Sequence, residues 1–126
     1  MLYLFDGLIC TDVEVHFEGQ MKLLKNVVID TGAVQSILNH SFVIDIGINP
    51  KFVDEFRMTY GIGGEMAYFC RKIDKIKIGD FEFADFDIDF GDIDPNGEIQ
   101  GLIGLDVLKS MRAVIDIEIP ELLCKK

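Results

Sequence analysis

At 126 residues, 49% of them hydrophobic and ten of them Phe, the chain is long enough to bury a core and too apolar for a disordered protein. Its net charge of −10 argues against a nucleic-acid partner, whose binding rests on Lys and Arg neutralising phosphates. No apolar run approaches the ~18 residues that span a membrane, so no membrane partner is expected. The start, MLYLFDGLICTDVEV, is apolar but lacks basic residues and meets acids early, unlike a signal peptide. Cys10, Cys70 and Cys124 are odd in number and lack metal-ligand spacing, which fits ordinary thiols in a reduced, cytoplasmic protein.

In chain order, Val13, Val15 and Phe17 alternate with acids and His16, which predicts a half-buried strand over 11–18. Glu18-Gly19-Gln20 then turns the chain into a second strand ending in Val27-Val28-Ile29, a run suited to burial on both faces. Residues 39–46 predict a short helix, capped by Asn39 or Ser41 and closed by Gly47, with Pro50 soon after. A strand is expected near 53–60, then a glycine-rich hairpin tip at Gly61-Ile62-Gly63-Gly64, then a strand from about 65. Ile76 and Ile78 alternate with Lys, and Gly79-Asp80 turns the chain. Phe81, Phe83, Phe86, Ile88 and Phe90 give another strand with a break near Ala84-Asp85, and the acids between Asp80 and Asp94 read as its exposed face. A polar loop covers 91–98, an apolar segment runs from Ile99 to Ile103, and Asp106 is expected to cap a short helix over 106–111. Val114 to Ile117 reads as the last strand. The pattern is mostly β, a single domain over 1–126, with one or two short helices.

Three segments carry the chemistry when taken together: VVIDTGA at 27–33, YGIGGE at 60–65 and GLIGLDVL at 101–108. A buried strand leading into Asp30 fixes a carboxylate at the edge of the core. Gly32 permits a sharp departure of the backbone, and Thr31 can aim its hydroxyl at a neighbouring backbone group. In these residues the chain resembles the retroviral-type (retropepsin-like) aspartic proteases. In that family Asp-Thr-Gly-Ala follows a strand, a flap with the pattern Gly-Ile-Gly-Gly covers the site, and a hydrophobic-hydrophobic-Gly motif precedes a short helix. Asp30-Thr31-Gly32-Ala33, Gly61-Ile62-Gly63-Gly64 and Leu102-Ile103-Gly104 match these in order, and the resemblance covers roughly 10–118.

The resemblance implies an all-β, acid-protease-like closed barrel with a glycine-rich flap hairpin, working as a homodimer on an extended peptide. Asp30 would be the catalytic carboxylate, Thr31 would bond across the dimer axis, and the Gly32 carbonyl would meet the substrate backbone. Gly61, Ile62, Gly63 and Gly64 would form the flap, while Ala33, Ile37, Leu102 and Ile103 would line or support apolar subsites. Hydrolysis by this chemistry needs one ionised and one protonated carboxyl held close together. The chain has one Asp-Thr-Gly, so the second must come from a second subunit on a two-fold axis. No metal or organic cofactor is implied. Many retroviral enzymes carry an Asp after Asp-Thr-Gly-Ala, paired with an Arg after the C-terminal glycine. Here Val34 and Leu105 stand there, so both partners are missing together and no lone charge is left.

Other readings compete. Asp92-Ile93-Asp94-Pro95-Asn96-Gly97 fits the opening of a calcium loop, but its twelfth position is Ile103 rather than Glu, which favours a solvated loop. VVIDTGA is also like the phosphate loops of actin-like ATPases, folds that need far more chain. A catalytically silent dimerisation or peptide-binding module of the same fold is the alternative from another class; it would have no need of an intact Asp30-Thr31-Gly32.

Overall fold

The computed structural model describes residues 2–51, 56–61, 64–94, 96–118 and 121–124. Its strands are β1 (Tyr3–Phe5), β2 (Leu8–Phe17), β3 (Gln20–Ile29), β4 (Ile37–Asn39), β5 (Arg57–Gly61), β6 (Gly64–Ile78), β7 (Phe81–Gly91), β8 (Gly101–Ile103), β9 (Ala113–Asp116) and β10 (Glu121–Cys124). One α-helix, α1 (Leu105–Ser110), follows β8.

The alternation in β2 sets its orientation: Val13, Val15 and Phe17 are buried while the polar residues between them reach toward water. Two tight turns flank it. Asp6-Gly7 and Glu18-Gly19 all have positive φ (49°, 78°, 48° and 80°), the left-handed geometry that matches the natural twist of a two-residue hairpin. The first turn joins β2 to β1, a strand the sequence pattern did not suggest; the Asp-Gly pair was its signal. β10 was likewise unexpected and pairs antiparallel with β9.

The strands run in the order β1-β2-β3-β8-β4-β7-β6-β5, and β6 also pairs with β2 through Lys75–Lys77, closing a barrel. Closure leaves β2, β3, β8, β4, β7 and β6 without a free edge between them. Its interior holds Val13, Val15, Leu24, Leu38, Phe69, Ile73, Ile76, Ile88, Phe90 and Ile103, with Val107 and Met111 covering one end. The architecture is therefore the all-β closed barrel with a short helix that was expected.

The break expected near Ala84-Asp85 is present within one strand, β7, and two other local expectations differ. Pairing resumes in the same register beyond it, with Ile73 opposite Phe86 and Lys75 opposite Ala84, and Asp85 takes a positive φ of 52°. Both strands change their inward parity there: Ile73 is followed by Ile76, and Phe83 by Phe86. Residues 39–46 form not one helix but the end of β4 and two 3₁₀ turns, His40–Phe42 and Ile44–Ile46. Asn39 caps the first by accepting from the Ser41 amide, and Gly47 closes the second at φ 91°, but Val43 between them leaves the helical region at φ −120°. Finally, Gly104 rather than Asp106 is the N-cap residue of α1, and Asp106 lies in the first turn, where its carboxylate accepts from the Val107 amide as well as from Ser36.

Candidate active site

The buried run Val27-Val28-Ile29 lies beside β8 in parallel, Val27 opposite Gly101 and Ile29 opposite Ile103. The pairing continues one step past the strand, where the Asp30 amide donates to the Ile103 carbonyl at 2.9 Å. The chain then turns sharply. The Ala33 amide donates to the Asp30 carbonyl at 3.2 Å, and the Gly32 amide to Asp30 Oδ1 at 3.0 Å. Asp30 is thus anchored through its amide, its carbonyl and one carboxylate oxygen, while the side chain stays half-exposed.

A second set of bonds laces this loop to α1. The Leu105 amide donates to the Ala33 carbonyl at 2.8 Å and the Asp106 amide to the Val34 carbonyl at 3.1 Å. A Cβ on Gly104 would lie 2.7 Å from the Ala33 oxygen and 2.9 Å from Gln35 backbone atoms, so this approach requires glycine. Ser36 completes the joint. Its hydroxyl donates to Asp106 Oδ1 at 2.6 Å and accepts from the Gly104 amide at 2.8 Å, and its own amide donates to the same carboxylate oxygen at 2.9 Å. The two positions that carry Asp and Arg in retroviral enzymes, Val34 and Leu105, are held here by these backbone bonds.

Asp30 opens into a groove of about 1060 Å³ whose lining includes Gly32, Ala33, Ile37 and Leu102, together with Leu8, Val28, Met66, Tyr68, Asp89, Ile93 and Ile99. Ile103 faces the other way and is fully buried, supporting the site from beneath. Thr31 is exposed and borders a separate recess with Leu105, Leu108, Arg112 and Ile115. Gly61 and Gly64 pair as the last rung of the β5–β6 hairpin, whose Met66 and Tyr68 reach the groove; Ile62 and Gly63 lie outside the described residues.

Sequence patterning missed Ser36 and Asp89. Ser36 gave no signal, because its partners are some seventy residues away. Asp89 was grouped with the exposed acids of β7. Glu82, Asp85 and Asp87 are exposed, but Asp89 is half-buried in the groove, and burial holds its carboxyl above the usual range. Asp94, in the loop read against calcium binding, gives its carboxylate to the amides of Asn96, Glu98 and Ile99, bonds that draw its pKa down.

A carboxylate at the end of a buried strand, braced by a parallel neighbour and a short helix at the floor of a long apolar groove, defines the acid-protease type of fold. The comparisons agree. The aspartyl protease family model matches residues 13–107, and the chain belongs to that family. Its structure is similar to the crystal structure of a retropepsin-like aspartic protease from Rickettsia conorii, with a TM-score of 0.63 and 20% identity over 90% of this chain and 88% of that one. No curated protein matches the sequence.

Proposed function

We propose that the protein is an aspartic endopeptidase that acts as a homodimer, with Asp30 of each subunit forming the catalytic dyad. The observation that carries this reading is Asp30 itself, held at three points at the mouth of β3 and open to a groove of about 1060 Å³. The single Asp-Thr-Gly of the chain requires a second copy to complete a dyad. Exposed Thr31, on the side away from the groove, is free among the described residues to meet its counterpart across a two-fold axis.

Two carboxyls held close share one proton, since both cannot ionise at such separation. The ionised one takes a proton from water as the water oxygen bonds to the scissile carbonyl carbon. The protonated one gives its proton to the carbonyl oxygen, forming a neutral tetrahedral diol. As the diol collapses, the C–N bond breaks and a proton passes to the leaving nitrogen, so the dyad returns to its starting state. The β5–β6 hairpin, with its Gly61–Gly64 tip, would be the flap that lies over the substrate as an added strand.

The test is cleavage of a broad peptide library by the wild type and by Asp30→Asn. Wild type is expected to cut and the variant to lose at least about a hundredfold in rate, the scale of general acid–base catalysis. A wild type that binds peptides without cutting them would instead establish the silent peptide-binding reading.

A further inference from the structure

The groove contains a second carboxylate for which the hydrolytic chemistry has no use. Register places Val28 opposite Leu102, Leu102 opposite Ile37, Ile37 opposite Asp89 and Asp89 opposite Cys70, a row of side chains crossing β3, β8, β4, β7 and β6. Paired residues share a face of the sheet, and Val28, Leu102, Ile37 and Asp89 all line the groove, so this row is its floor. The opposite face of β7 carries Ile88 and Phe90 into the core, which fixes the direction of Asp89. Among the described residues that line the groove, Asp89 and Asp30 are the only carboxylates and none is Lys or Arg.

The groups that face Asp89 are Cys70 from β6, which hydrogen-bonds to it, the exposed Arg57 from β5 and, with like charge, Asp106 from α1; Asp87 lies two residues away on its own strand. Burial, with Asp106 acting in the same sense, outweighs Arg57 and Cys70 and disfavours its charge. A peptide laid over this floor would bury the carboxylate further. An apolar substrate side chain would bury it further with only Cys70 and the exposed Arg57 to offset its charge, whereas a cationic one would add a partner inside the groove.

We propose that Asp89 is a specificity-determining residue that selects substrates with a Lys or Arg side chain a few positions away from the cleaved bond. This rests on the peptidase reading of the groove. Three strand spacings separate β3 from β7, roughly 14 Å, and an extended peptide advances ~3.3 Å per residue. Allowing for the length of the basic side chain, the selected residue lies about two to four positions from the scissile bond. In a symmetric dimer the subsite occurs once on each side of that bond.

Binding and cleavage separate the subsite from the hydrolysis. An apolar octapeptide is made with Lys, norleucine or Glu scanned through each position. Its binding by fluorescence anisotropy is measured on full-length Asp30→Asn, Asp30→Asn/Asp89→Asn and Asp30→Asn/Asp89→Lys, and its cleavage on the wild type. With Asp89 present, Lys is expected to bind at least about tenfold more tightly than norleucine at one position. That ratio falls to near one with Asp89→Asn and turns toward Glu with Asp89→Lys. Equal binding of Lys and norleucine at every position, no binding of either, or a Lys preference that survives Asp89→Asn overturns the subsite. A Lys preference without cleavage by the wild type sinks the peptidase reading and leaves the subsite standing; cleavage with no charge preference does the reverse.

Discussion

The Ser36 hydroxyl connects two parts of the site, giving its proton to Asp106 and accepting the buried amide of Gly104. Removing it strands that amide without water to replace the bond. Ser36→Ala is therefore expected to lower unfolding stability by about 1–3 kcal/mol, measured by urea denaturation, and to slow hydrolysis as the Asp30 loop loosens from α1. Asp89 acts in the opposite sense. Its carboxyl holds a proton more tightly in the fold than in the unfolded chain, because burial disfavours its charge. Ionising it costs stability as pH rises from the ordinary carboxylate range to its raised value, and the cost persists above that. Asp89→Asn is thus expected to raise the Tm near pH 7 and leave it nearly unchanged near pH 3. An equal rise at both pH values would show that packing, and not charge, limits this position.

The β6–β7 hairpin serves two purposes because it changes phase midway. Below Asp74 and Asp85 it closes the barrel against β2; above them it carries Asp89 and Tyr68 to the groove. The pivot is Asp85 at φ 52°, a conformation that costs a β-branched residue about 1–2 kcal/mol. Asp85→Val should destabilise by that amount and Asp85→Gly should be close to neutral, both read from thermal melts. The phase change was visible in the sequence, since Phe83 and Phe86 are three apart where a strand steps by two. What did not show was that pairing would resume in register. The 39–46 segment was misjudged for a related reason. Asn39, Ser41 and Gly47 are sound end signals, but Asn39 is already committed to β4, and too few residues remain for a helix. The Val43 carbonyl receives the Ile46 amide instead, the tighter 3₁₀ arrangement, and the Ile48 amide closes the segment onto the same oxygen.

At the scale of the molecule, one dyad needs two chains. Specific activity is expected to fall on dilution below the dimer dissociation constant, and an active species that sediments as a monomer would refute the shared dyad. The recess beside Thr31 and the exposed Val114, Ile117 and Leu123 of the C-terminal hairpin offer an apolar face for that contact. Val114→Asp is expected to shift the protein toward monomer and lower activity with little change in folded structure, as the side chain is 45% exposed. The segments at 27–33 and 101–108 were legible because each is a local string of residues, while the 60–65 segment lies partly outside the described residues. Their assembly was not legible: the parallel pairings β3–β8 and β4–β7 depend on partner choice between distant segments, which no local period records.

Those parallel pairings also set when the site comes into being. The ledge on which Asp30 rests is the carbonyl of Ile103, and the bonds that shape its loop come from Gly104, Leu105 and Asp106. A chain growing from its N-terminus carries Asp30 long before it carries that ledge. Pairing of residue 27 with residue 101 spans most of the polypeptide, the kind of distant closure that comes late and slowly in folding. During synthesis the carboxylate therefore emerges unsupported, and a nascent or truncated chain that stops short of residue 101 has no shaped loop with which to cut its neighbours. The order of the segments acts as a timer: on the peptidase reading, hydrolytic competence waits for residues 101–106.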